Sequence, residues 1–236
     1  MTDVPDPVRE LYPFLYEEEA SADRAPGAGL AGEVARSTRE KVAEITALRQ
    51  RIADEWGPWI ADCAMRMAER FAAGGRLFAF GNGGSSTDAQ GLVTTFLHPP
   101  AGVLRDAVPL PALSLTSDAA VVTALSNDVG FDVVFARQLA AFGRRGDIAV
   151  GLSTSGGSAN VVRALEEAAG RGMLTVALAG HDGGRLAGLD GLGHLIVVPS
   201  SSVHRIQEAQ TTVYHALWEL TQQALRATRT ERGGVR

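Results

Sequence analysis

From Glu33 to about Asp54, and again from Gly57 to about Ala73, apolar residues recur at helical spacing: Val34, Val42, Ile45, Leu48 and Ile52, then Ile60, Met67 and Phe71. Polar residues fill the intervals, which predicts two amphipathic helices. Gly74-Gly75 supplies the stop signal for the second. Downstream the pattern changes. Short apolar runs, Leu77 to Phe80, Pro111 to Leu115, Ile148 to Leu152, Met173 to Ala179 and Leu195 to Val198, alternate with helix-length segments. Strands that are continuously apolar are buried on both faces, so the pattern predicts an α/β fold whose parallel sheet is covered by helices on each side. A last helix, Arg205 to about Leu225, closes the chain, and no tandem repeat is present.

Composition sets the boundaries. Residues 1–32 mix Pro, Gly, Ala and acidic residues and are expected to form a partly flexible appendage. Within them, Leu11-Tyr-Pro-Phe-Leu-Tyr16 concentrates aromatics suited to docking on the body of the protein or on a partner. The expected domain covers 33–228, and 229–236 reads as a disordered tail. A net charge of -5 with no basic run disfavours nucleic-acid binding. Cys63 is the single cysteine, so neither an internal disulfide nor a Cys-based zinc site can form, and a buried structural thiol is expected. No apolar stretch reaches the roughly 18 to 20 residues of a membrane span, and no leader-like pattern opens the chain; the expectation is a soluble cytoplasmic protein.

Two loops carry the chemistry. Gly81-Asn-Gly-Gly-Ser-Ser-Thr-Asp88 follows the first predicted strand and opens a helix. Small residues at such a turn let backbone N–H groups approach an anion, and the helix N-terminus favours negative charge. The loop lacks the Lys of a Walker motif and the three spaced glycines of a dinucleotide site. Ser153-Thr-Ser-Gly-Gly-Ser158, after the third strand, sets four hydroxyls around two glycines and suits a phosphoryl group. One hydroxyl is expected to cap the helix starting near Ser158, but four exceed what a cap needs. Ligands bind at the carboxyl ends of strands in open α/β sheets, so both loops can face one crevice.

Gly81-Asn-Gly-Gly-Ser85, Leu115-Thr-Ser-Asp118, Asn127-Asp-Val-Gly-Phe131, Phe135-Ala-Arg-Gln138, Gly146-Asp147, Ser153-Thr-Ser-Gly156 and Arg205-Ile-Gln-Glu208 followed by His215 stand in the order and spacing of phosphoheptose isomerases. The chain thereby resembles the SIS-domain family from residue 33 to 225. The resemblance implies a flavodoxin-like three-layer sandwich with a five-stranded parallel sheet, a homotetramer, and conversion of sedoheptulose 7-phosphate to an aldose phosphate. It implies that Ser85, Ser153, Thr154, Ser155 and Ser158, with the backbone of Gly83 and Gly84, hold the phosphate. Asn82, Asp118 and Gln207 would lie beside the sugar.

Aldose-ketose isomerisation needs a base near the first two carbons and a group that stabilises the developing oxyanion. In the family, a His-x-x-x-Glu on the helix after the first loop joins Gln and His of the last helix around zinc. Here Gln207 and His215 match, whereas Gly91 stands in the place of the His and Thr95 in the place of the Glu. Two protein ligands fall short of the usual three or four, so the zinc site is degenerate and His215 is left as the possible acid/base. His98, Asp88, Asp118, His204 and Glu208 are the candidate replacements; His181 and His194 read as loop and strand-end residues without a partner. Two functions remain open: a phosphosugar isomerase with a shifted site, and a non-catalytic regulatory or scaffold protein that binds a sugar phosphate, a protein partner, or both. A bacterial replication-initiation regulator of this family exemplifies the second. Trp56, Trp59 and Trp218 lie on the helices expected to mediate association or to fill the core.

Overall fold

The structure is a computed structural model and describes residues 28–233. The chain divides into two compact units, residues 1–43 and 44–236. The described part of the first is helical and carries the exposed ion pair Arg36–Glu40. Leu11 to Tyr16 lies outside the described residues. The second unit contains all five strands and every candidate site residue.

Helix α1 (Ala28–Ala72) is one continuous helix rather than the two expected. Pro58 sits inside it. An interior proline costs about 3 kcal/mol because it removes one backbone donor and crowds the preceding turn. The buried stripe Ile45, Leu48, Ile52, Ile60, Cys63, Met67 and Phe71 nevertheless runs in phase through that point. Burying such side chains yields about 1.5 to 3 kcal/mol each, so packing outweighs the local penalty.

The remaining elements are β1 (Leu77–Gly81), α2 (Gly84–Leu97), β2 (Ala112–Ser114), α3 (Ala119–Asp128), α4 (Val134–Phe142), β3 (Ile148–Ser153), α5 (Ala159–Gly170), β4 (Leu174–Gly180), β5 (His194–Val198) and α6 (Val203–Gly233). The last helix passes its expected end, so residues 229–233 of the expected tail are helical. Within it Arg226 donates to the Arg105 carbonyl at 3.0 Å, an anchor beyond the predicted end that hydrophobic periodicity does not reveal.

The five strands form one parallel sheet in the order β2-β1-β3-β4-β5. Side chains alternate across it. Leu77, Ala79, Ile148, Val150, Leu152, Val176 and Leu178 join the core beneath α1, α2 and α6. Phe78, Phe80, Ala149, Ala177 and Ala179 join the core under α4 and α5. Two cores on one sheet make the three-layer sandwich. Trp218 is fully buried in the first, whereas Trp59 remains 43% exposed. Cys63 is buried as expected, and burial, with the charge of Asp62, pushes its thiol up to about 12.

Several motif residues hold the frame. The Asp147 carboxylate accepts from the backbone N–H groups of Arg76 and Arg144 at 2.9 and 3.0 Å and pairs with the Arg76 guanidinium at 2.9 Å. It ties the amino ends of β1 and β3 together. Buried Gln138 donates to the carbonyls of Leu115 and Val134 and fixes α4 beneath the end of β2. His194 is buried at the start of β5, its Nε2 2.9 Å from Asp62 Oδ2 and its ring 4.9 Å from that of Trp59. It therefore has the partner the sequence did not show, brought from 132 positions away by the fold.

Candidate functional site

Strand order reverses direction between β1 and β3, the topological switch point where open α/β sheets bind ligands. These strands are hydrogen-bonded neighbours, with Gly81 opposite Leu152. The two serine-glycine loops therefore leave the sheet side by side. Asn82 and Asn160 exchange two side-chain hydrogen bonds of 2.9 and 2.8 Å, tying the first loop to the start of α5. Ser85, in the first turn of α2, is buried. Asn160 is also buried and is the positioning residue that motif matching left unassigned; an amide at the second position of a helix facing another loop amide is its signal in the sequence.

In the second loop Ser153 Oγ stands 3.0 Å from Ser158 Oγ and 3.5 Å from Ser155 Oγ, and Ser155 Oγ accepts from the Gly157 N–H at 3.2 Å. Ser158 is the residue preceding α5, yet its side chain makes no capping bond. The expected cap is thus absent, because the hydroxyl turns to Ser153 instead. Gly156 adopts φ +63, and a Cβ there would overlap the Gly183 carbonyl, so only glycine lets this loop close against the turn after β4. Beyond Ser155 a cleft of about 650 Å³ opens between His181, Asp182, Pro199, Ser200 and Ser201. Thr154 is half-buried in the loop.

Helix α6 brings the family-matched residues alongside α2. The Gln207 amide lies against Gly84 so closely that a Cβ there would overlap it. Seven residues further along each helix, a Cβ on Gly91 would stand 2.9 Å from the Tyr214 hydroxyl. Thr95 is buried, and its hydroxyl donates to the Gly91 carbonyl at 2.9 Å. His215 is exposed, with its ring 4.8 Å from that of Tyr214. Burial pushes the Tyr214 phenol above its ordinary value; Asp88 adds to this, against a hydrogen bond with Thr211 that acts the other way.

Among the proposed replacement acids, most are occupied or remote. Asp118 caps α3 by accepting from the Val121 N–H at 3.1 Å. Glu208 pairs with Arg205 at 2.8 Å. His204 and His98 are exposed, and His98 follows the last residue of α2 just before Pro99. Asp88 differs. Its Oδ2 is buried without a hydrogen-bond partner, and burial pushes its carboxyl up to about 6.

Zinc, which the sequence resemblance implies, needs three or four donors. Gly91 offers none, the Thr95 hydroxyl is engaged within its own helix, and among the described residues no group of three or more His, Cys, Asp and Glu side chains is placed to hold a metal ion. The donor set present does not fit the ion.

Comparison with known proteins agrees with this architecture. The SIS domain family model matches residues 42–180. The phosphoheptose isomerase of Roseiflexus sp. (strain RS-1) is 41% identical over 191 residues, covering 80% of this chain and 94% of the relative. That of Desulfovibrio desulfuricans is 45% identical over 175 residues, 74% and 80% of the two chains. The solved phosphoheptose isomerases of Neisseria gonorrhoeae and Francisella tularensis superpose with TM-scores of 0.73 at 34% and 32% identity. Each alignment covers 80% of this chain, with 99% and 98% of the respective relative. With the family model spanning more than half of the chain and relatives above 40% identical over about three quarters of it or more, this chain belongs to the SIS domain family, in its phosphoheptose isomerase-like branch.

Proposed function

We propose that this chain binds a sugar phosphate, taking the phosphoryl group between its two serine-glycine loops, and that it does so without the zinc-centred chemistry of its relatives. The observation that carries the reading is the cluster of Ser153, Ser155 and Ser158 hydroxyls, drawn together and free of capping duty beside the glycine turn that Asn82 and Asn160 hold in place. Hydrogen bonds to a charged group are worth about 1.5 to 3 kcal/mol each. Ser155→Ala is therefore expected to weaken binding of sedoheptulose 7-phosphate about 10- to 100-fold in isothermal calorimetry. Unchanged affinity would remove this loop from the site.

In this reading Asn82, Gln207 and Asp118 flank the sugar, the protein acts in the cytoplasm as a homotetramer, and its role is regulatory or scaffolding, with Leu11 to Tyr16 available to a protein partner. Bare Gly91 and the self-engaged Thr95 hydroxyl favour it over turnover. One observation favours the isomerase reading: Asp88, one turn beyond Ser85, has a carboxyl with an unpartnered oxygen and a proton affinity suited to acid/base work near neutral pH. Turnover of sedoheptulose 7-phosphate that is lost in both Asp88→Asn and His215→Ala would establish that alternative and displace the first.

A further inference from the structure

We propose that Tyr214 closes the metal subsite of this scaffold, its phenol standing in the seam between α2 and α6 where the side chain of residue 91 would project, so that the protein holds its ligand independently of metal. The seam is pinned at two levels. Gln207 packs on Gly84 at one, and Tyr214 packs on Gly91 at the other. Seven residues separate the members of each pair on both helices, a rise of about 10.5 Å, so α2 and α6 run alongside one another in step. Close contact at both levels depends on glycine in α2. A side chain at position 91 would meet the hydroxyl of buried Tyr214 at 2.9 Å, so the phenol must shift to admit it.

The rest of the seam agrees. The Thr95 hydroxyl is turned back on the Gly91 carbonyl, one turn further along. Successive residues on a helix point about 100° apart. His215 therefore points about 100° away from Tyr214 on α6, and it is exposed. Asp88 lies between the two pinned levels and contributes one carboxylate, short of the three or four donors that zinc needs. Loss of the two expected ligands is thus accompanied by a filled space. Restoring a His and a Glu alone does not rebuild the site.

The test compares zinc binding, by competition with a chromophoric chelator, for Gly91→His/Thr95→Glu and for Gly91→His/Thr95→Glu/Tyr214→Leu, each checked for folding by circular dichroism. The triple variant is expected to hold one zinc per chain at least 100-fold more tightly than the double variant. Equal affinities, or no zinc on a folded triple variant, would overturn the proposal. The unmodified protein supplies a second arm that no folding failure can remove. Its affinity for sedoheptulose 7-phosphate is expected to stay within twofold whether chelator or zinc is present, and a tenfold gain on adding zinc would also overturn the proposal. The ligand arm rests on the phosphate-binding reading, and inorganic phosphate is its control. If neither phosphate nor the sugar phosphate binds, that reading fails, while the zinc comparison still decides the role of Tyr214.

Discussion

The contact between Gly91 and Tyr214 makes a prediction about stability that is independent of any ligand. Alanine at an interior helix position is favoured over glycine by about 1 kcal/mol. In the native background, however, the new Cβ at position 91 meets the Tyr214 hydroxyl oxygen at 2.9 Å, closer than a relaxed contact, whereas the ring carbon behind it lies at 3.8 Å. Forcing a methyl group into a packed interior costs about 1 to 3 kcal/mol. Gly91→Ala alone should therefore range from neutral to about 2 kcal/mol destabilising. Tyr214→Phe removes the offending oxygen and keeps the ring. In that background Gly91→Ala should stabilise by about 1 kcal/mol, because only the ring carbon remains at ordinary contact distance. The coupling energy is thus about 1 to 3 kcal/mol, well within reach of a double-mutant cycle. Urea unfolding of the four proteins, at one fixed protein concentration because association would shift the midpoints, measures it. If Gly91→Ala stabilises both backgrounds equally, within about 0.5 kcal/mol, the hydroxyl does not occupy the space assigned to it and the subsite is not filled.

Asp88 supplies a pH test. Burial raises its native carboxyl from the ordinary 3.8 to about 6, so the native state binds the proton more tightly than the unfolded chain does. Its contribution therefore favours folding below the unfolded value and is lost as pH rises towards 6. Asp88→Asn should gain stability relative to the unmodified protein between pH 4 and 6, in a difference plot of urea midpoints; a flat difference would show that Asp88 is not desolvated. For assembly, sedimentation velocity at micromolar concentration should give a tetramer with Trp59 protected from acrylamide quenching, and a monomer would contradict the proposed quaternary structure.

Most of the frame was legible from local pattern alone, since buried parallel strands announce themselves as unbroken apolar runs and the glycine-serine loops interrupt them at the carboxyl ends. The misread parts have non-local causes. Pro58 signals a break, yet the stripe from Ile45 to Phe71 continues across it because burial in the shared core supplies the energy. Ser158 signals a cap, but its hydroxyl has a better partner in Ser153 once the loop folds back. Asp147 and Gln138, equally part of the family pattern, hold the frame, a role that only their hydrogen-bond partners reveal. Tyr214 was invisible in sequence because its meaning lies in Gly91, 123 positions earlier.

The central claim, sugar-phosphate binding that needs no metal, is tested most directly by titrating sedoheptulose 7-phosphate calorimetrically into protein stripped with a chelator. Saturable binding at one site per chain is expected, weakened by Ser155→Ala and unmoved by added zinc. No detectable heat at millimolar ligand, or binding that emerges only when zinc is restored, would contradict it.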